Sequence, residues 1–276
     1  MRNIYTYGRQ PAQRNYTIPD LRALKYADAP LTMCFPGDAT ELAACVEAGI
    51  ETLTVLDSNL VEFRRLAPTT FMATSMAWGQ NKTPDDILRH AIGCMELGAD
   101  MYLTNRSFGV VEMLAKEKIP VQVHVGLVPS FSVLGGGLRA YGRTADEAME
   151  IYRTFKRYED AGAVAAEVEC VAEEAMKHLN ANTSLVTISL GSGRAGDIIF
   201  QFMSDLCGET EAPPKHAYAF CDLKPLHAEI YKQRVTALTE FRKSSIRRQF
   251  PFEGQNVRMH ANEEQALIEV LSQMKK

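Results

Sequence analysis

Residues 160–168 read DAGAVAAEV: a helix end, a glycine able to turn the chain, then a run of small and branched apolar residues suited to a buried strand. The same device recurs as EAGIETLTV at 47–55 and as ELGADMYL at 96–103. Each glycine stands where a helix closes through a left-handed residue, and each run after it is too short for a helix of its own. Helix, glycine and strand in repetition mark β-α units around a parallel sheet.

Working outward, apolar runs at Leu31–Phe35, Thr52–Leu56, Phe71–Thr74, Met101–Thr104, Val121–Val123, Val164–Val168, Leu185–Ile188 and Ile198–Phe202 predict eight strands. Amphipathic stretches at Ala39–Ala48, Pro84–Leu97 and Ala145–Ala161 predict helices between them, each closed by a glycine. An open doubly wound sheet shows the same alternation. Eight strands within about 200 residues and no dinucleotide fingerprint favour an α/β fold of the closed kind, a (β/α)8 TIM barrel. Two connections are short for this fold: SLGSGRAGD between strands seven and eight, and Asn59–Leu66 between strands two and three. The expectation is one barrel domain over 1–276. Residues 1–15 form an N-terminal arm, and 223–276 a helical tail, interrupted at Phe250-Pro251, that covers the barrel or exchanges with a neighbour.

The composition is that of an ordinary globular protein: 276 residues, 46% hydrophobic and 23% charged. A formal charge of −4 argues against a nucleic-acid partner or an anionic membrane surface and leaves small molecules as the expected ligands. Six cysteines without a C-x-x-C pair read as reduced, mostly buried thiols, which suits a cytoplasmic protein. No apolar stretch follows the basic N-terminal residues, and nowhere do 18 apolar residues run together, so neither export nor membrane spanning is expected.

In a barrel of this kind the chemistry gathers where strands end. The polar residues closing the runs are Asp57-Ser58, Ser75, Asn105, His124, Glu169 and Ser189, the last with the loop Gly191-Ser192-Gly193. Aspartate, asparagine, histidine and glutamate around one mouth can bind a hard divalent cation and leave a carboxylate free as a base. That set suits enolate chemistry on a 2-oxo acid. Plainer readings stand beside it. Asp57 reads equally as the cap of the following helix, and His124, between two valines, as a satisfied interior histidine. Glu169 closes an apolar strand and needs either a partner or a raised pKa, both of which point to a site. Gly191-Ser192-Gly193 reads as a phosphate cradle or as a plain turn, Gly135-Gly136-Gly137 as a flexible turn, and the basic run from Arg242 to Arg248 as a solvated helix face.

The longest informative stretch, 123–171, reads VHVGLVPSFSVLGGGLRAYGRTADEAMEIYRTFKRYEDAGAVAAEVECV. It resembles the ketopantoate hydroxymethyltransferase (3-methyl-2-oxobutanoate hydroxymethyltransferase) family, with that family's H-x-G-L-T-P-Q, G-G-[YF]-[RK]-x-Q-G-[RK], A-G-A and L-E-C-V-P in order. The likeness continues from about Tyr16 to His260 through FPGDATELAACVEAGIETLTVLDS, SLGSG and PKHAYAF. The family sits in the superfamily of phosphoenolpyruvate mutase and isocitrate lyase. The resemblance implies a Mg2+-dependent transfer of a hydroxymethyl group from methylenetetrahydrofolate to 3-methyl-2-oxobutanoate, on the path to pantothenate, in a homodecamer. By position it implies that Asp57 is a metal ligand, Ser58 and His124 bind the oxo acid, and Glu169 accepts the proton.

Three positions depart from the family pattern. Ser75 stands where a second metal aspartate belongs, Leu103 at a substrate lysine, and Asn105 at a third acidic residue. The second β-α loop is also shorter than usual. Affinity for a hard cation follows the count of charged oxygen ligands, so Mg2+ would meet a shell reduced to Asp57 with neutral oxygens from Ser75 and Asn105. The expected function is a divergent enzyme that makes or breaks a carbon–carbon bond next to the keto group of a 2-oxo acid. Ser75 and Asn105 would complete its substrate pocket. The rival expectation, carried by Ser75, Leu103 and Asn105 together, is an inactive barrel serving as a subunit or regulator of an assembly.

Overall fold

The computed structural model describes residues 1–75 and 82–274, with the side chain of Ser75 left out. It divides into two compact units, Met1–Asp222 and Leu223–Lys276.

In the first unit, β1 (Arg2–Tyr5) and β2 (Pro11–Arg14) form an antiparallel hairpin, followed by the short helix α1 (Ile18–Ala23). Eight parallel strands then close into a barrel: β3 (Leu31–Phe35), β4 (Thr52–Leu56), β5 (Phe71–Ser75), β6 (Met101–Leu103), β7 (Val121–Gly126), β8 (Ala165–Glu169), β9 (Val186–Leu190) and β10 (Ile198–Phe202). Strands β3 to β9 neighbour one another in chain order, and β10 pairs with both β9 and β3 to seal the ring. The helices between them are α2 (Ala39–Glu47), α3 (Leu60–Leu66), α4 (Pro84–Glu96), α5 (Phe108–Lys116), α6 (Ala145–Asp160) and α7 (Glu173–Ala181), with α8 (Met203–Leu206) after β10.

The expected barrel is thus observed. Both short connections are real departures from the full β-α unit: no helix lies between β9 and β10, and α3 is seven residues long. The hairpin at 2–14 takes the place of a plain arm, and β7 runs three residues beyond the expected Val123, because His124–Gly126 pair in register with Glu167–Glu169 of β8.

Strand alternation divides the core into two layers. Met33, Phe71, Ala73, Met101, Ala165, Ile188 and Phe200 fill the barrel interior, while Leu53, Val55, Val121, Val123, Ala166 and Val168 face the helices. Helix starts carry side-chain caps: Asp38 accepts the amides of Thr40 and Glu41, and Thr83 and Asp86 form a reciprocal box at α4. The repeated glycine does what its sequence context requires, with φ of 81°, 101° and 89° at Gly49, Gly98 and Gly162. Asp100, ahead of β6, ties the hairpin to the barrel. It takes Arg14 and Arg64 at 2.7 Å each and the Met72 amide at 2.9 Å.

The second unit holds two helices, α9 (Lys224–Ile246) and α10 (Glu263–Gln273). Phe250 meets Phe241 and Phe252 edge-on, at 5.2 and 5.7 Å between ring centres. Among the described residues no helix is long and apolar enough to cross a membrane.

Candidate active site

The polar residues with the most consequential geometry lie on β7 and β8. Gln122, His124 and Gly126 alternate onto the inner face of β7, and Ala165, Glu167 and Glu169 onto that of β8, with His124 level with Glu167 and Gly126 level with Glu169. His124 Nε2 lies 3.0 Å from Glu169 Oε2 and 3.7 Å from Glu167 Oε1. Gln122, fully buried, donates its Nε2 to Glu167 Oε2 at 3.1 Å.

The electrostatics of this group follow from burial and from charge neighbours. Burial alone pushes the His124 ring pKa down, but the flanking Glu167 and Glu169 outweigh it and the net shift is upward. Glu167 moves up as well: burial disfavours its charge and Glu169 adds repulsion, which His124 and the Gln122 amide offset in part.

Gly126 lets these two strands approach. A Cβ at this position would stand 2.3 Å from the Glu169 carbonyl oxygen and 2.8 Å from Val171, and its φ of 87° suits glycine. The chain leaving Glu169 is held on every side. Leu127 donates its amide to the Glu169 carbonyl at 2.8 Å, Tyr141 to the Cys170 carbonyl at 2.9 Å, and Cys170 to the Leu190 carbonyl at 2.9 Å. Cys170 itself takes a left-handed backbone, φ 53°, a strained state for a residue with a side chain.

Ser192 of the glycine-flanked loop is buried, accepting the Val171 amide at 2.9 Å and donating to the Val168 carbonyl at 2.7 Å. Its hydroxyl braces the turn after Glu169. Gly191 packs against His216, whose Nδ1 stands 3.4 Å from the Cys170 thiol. A cavity of about 680 Å³ opens here, lined by Arg139, Glu169, Cys170, Gly191, Lys215 and His216. Another, of about 390 Å³, is lined by Asn105, His124, Phe131 and Tyr141.

Asp57 has a different set of partners. His90 of α4 places its Nε2 2.9 Å from Asp57 Oδ2 and its Nδ1 2.9 Å from the hydroxyl of Tyr102. Tyr102 belongs to the layer between strands and helices, and burial pushes its phenol pKa up. The neighbouring Cys94 thiol is pushed up to about 12 by burial and by Asp57. The second Asp57 oxygen accepts the Ser58 amide at 2.8 Å, and the Ser58 hydroxyl turns to Asn59 at 3.2 Å.

Of the expected residues, then, His124 and Glu169 meet directly. Asn105 shares a cavity with His124 and donates to Ser130 at 3.1 Å. The Ser75 backbone ends β5 beside Leu56 and Leu103, and its side chain lies outside the described residues. Gln122, Glu167, His90, Tyr102 and His216 were not expected. Glu167 had a signal in the sequence: two residues before Glu169 on a strand, it must share its face.

A family model for ketopantoate hydroxymethyltransferase matches residues 61–253. Among curated relatives, 3-methyl-2-oxobutanoate hydroxymethyltransferase of Hyperthermus butylicus is 34% identical over 59% of the chain and 54% of that protein's length. The enzyme of the same name from Deinococcus radiodurans is 27% identical over 87% of the chain and 93% of its own length. That of Thermotoga neapolitana is 31% identical over 71% and 72%. Among solved structures, 2,3-dimethylmalate lyase, a member of the PEP mutase/isocitrate lyase superfamily, superposes with a TM-score of 0.52 at 12% identity over 93% of the chain and 99% of its own. That last likeness is one of fold.

Proposed function

Because the chain belongs to the ketopantoate hydroxymethyltransferase family of enzymes, we propose that it makes or breaks the carbon–carbon bond next to the keto group of a 2-oxo acid. The observation that carries this reading is the His124–Glu169 pair, 3.0 Å apart on the inner face of two adjacent strands. Glu169, bordering the larger cavity, is the base that removes the proton from the carbon beside the keto group. The electron pair left behind delocalises onto the keto oxygen, and a positive charge at the His124 corner holds that oxygen and the substrate carboxylate. The carbon then bonds to a one-carbon electrophile, or, in reverse, releases one and takes the proton back from Glu169. Ser58 and Asn105 add neutral hydrogen-bonding groups for the oxo acid, and Ser75 is assigned the same role from its place in the sequence.

Mg2+ at Asp57 fits poorly. Both oxygens of that carboxylate already have partners, in His90 and the Ser58 amide, and the sequence offers only neutral Ser75 and Asn105 beside it. Asp57 therefore enters here as a neighbour of Ser58, with no step drawn through a cation it holds. Methylenetetrahydrofolate is the one-carbon donor that the family relationship suggests.

The test is incubation with 3-methyl-2-oxobutanoate and related oxo acids in D2O, with and without Mg2+, following the carbon-bound proton by NMR. Exchange that falls by about 10²-fold or more in Glu169→Gln is the expected result. No exchange with any of the acids by the folded protein would overturn the reading. Adding methylenetetrahydrofolate then asks whether a hydroxymethylated product forms.

A further inference from the structure

Three acceptor atoms of the β7–β8 group face one another with little between them. The buried Nε2 of His124 has no hydrogen-bond partner among the described residues, although it lies 3.0 Å from Glu169 Oε2. In a neutral ring protonated at Nδ1, this Nε2 presents a lone pair toward the two carboxylates. A lone pair 3.0 Å from one carboxylate oxygen and 3.7 Å from another is repulsive unless a proton or a metal cation sits among them. Directly below, buried Gln122 leaves its Oε1 without a partner while its Nε2 fixes Glu167.

We propose that His124 Nε2, Glu167 and Glu169 form a binding site for a first-row transition dication, separate from Asp57. The three donor atoms lie within 4.8 Å of one another. Two ligands each about 2.1 Å from a cation stand roughly 3.0 Å apart at a right angle and roughly 3.4 Å apart at the tetrahedral angle; the 3.0 Å approach of His124 to Glu169 matches the first, and Glu167, at 3.7 Å, has only a few tenths of an ångström to close. One imidazole with two carboxylates selects Mn2+, Fe2+, Co2+ or Zn2+ over Mg2+, which prefers oxygen donors and keeps its waters. Charge favours the cation too. A dication with neutral His124 balances the charge of the two carboxylates. Glu167 is the residue that makes the site. Without it, His124 and Glu169 are a simple ion pair.

The inference deepens the functional reading and rests on it only for what the cation serves: it supplies the positive charge at His124. Glu169 binds through Oε2, and its other oxygen remains for the proton.

The site is tested without substrate. Full-length protein freed of metal with a chelator is titrated with Mn2+, free Mn2+ being followed by electron paramagnetic resonance. The expected result is one Mn2+ per chain, displaced by Zn2+ but not by equal Mg2+. Affinity should fall at least tenfold in Glu167→Gln and in His124→Gln, and stay within twofold in Asp57→Asn. Pulsed spectra of the wild-type complex should show coupling to an imidazole nitrogen, which keeps the test open if a variant fails to fold. Absence of stoichiometric binding, absence of nitrogen coupling, or loss of binding in Asp57→Asn with none in Glu167→Gln would each overturn the proposal. Binding without oxo-acid exchange would refute the functional reading and leave the site standing; exchange by protein that binds no Mn2+ would do the opposite.

Discussion

The imidazole of His90 bridges Asp57 and Tyr102, at 2.9 Å to each. A helix side chain thus fixes the first polar residue after β4 from behind. Tyr102 is fully buried, so Tyr102→Phe removes the partner of His90 Nδ1 while keeping the ring's packing. The expected cost is about 1–2 kcal/mol, the usual penalty for stranding a buried polar group. Thermal unfolding should show a fall of several degrees, and an unchanged midpoint would mean that water takes the place of the hydroxyl.

Gly126→Ala probes the closeness of β7 and β8. The added methyl group would meet the Glu169 carbonyl oxygen at 2.3 Å, with backbone below it rather than a side chain that can swing away. Together with the positive φ, this should destabilise the barrel by about 2–3 kcal/mol and move Glu169 off its register with Gly126. Oxo-acid exchange should fall at least tenfold even well below the new melting point. Normal exchange at reduced stability would place the base elsewhere.

The pH dependence of stability has a clear contributor in Glu159, near the end of α6. Burial opposes its charge, but Lys156 at 2.8 Å, the Thr183 hydroxyl and the Ser184 amide at 2.7 Å hold its pKa below the ordinary glutamate value. A depressed carboxylate stabilises the fold above its unfolded pKa of about 4.3 and loses that contribution as pH falls through the folded value. Glu159→Gln should therefore lower the melting temperature at pH 7 by a few degrees, for about 1 kcal/mol, with the gap to wild type closing below about pH 4. A gap that persists in acid would mean that the amide fails sterically rather than electrostatically.

Much of the barrel was legible because local features encode it. Short apolar runs gave the strands, glycines gave the helix ends, and the missing helix between Leu190 and Ile198 showed as a connection too short to hold one. The hairpin was not legible, since RNIY and PAQR carry hardly any apolar signal and pair only with each other. At the site, asking which polar residue ends each strand found His124 and Glu169 but passed over Glu167, which lies inside its strand. His90 had no local signal at all: its partner Asp57 lies 33 residues away, and only closure of the barrel brings them together.

Ser192 decides between the two readings of the glycine-flanked loop. If the loop cradled phosphate, its hydroxyl and amides would be open to a ligand; instead Ser192 is buried and bridges Val168 and Val171 on either side of Glu169. Ser192→Ala strands one amide and one carbonyl, which should cost about 2 kcal/mol and loosen the segment that carries the base. Exchange should fall severalfold, mainly through the rate at saturating oxo acid, because the affected residue acts on Glu169 and touches no substrate. Inorganic phosphate at millimolar concentration should leave the wild-type melting temperature unchanged. A rise of several degrees that is lost in Ser192→Ala would restore the phosphate reading.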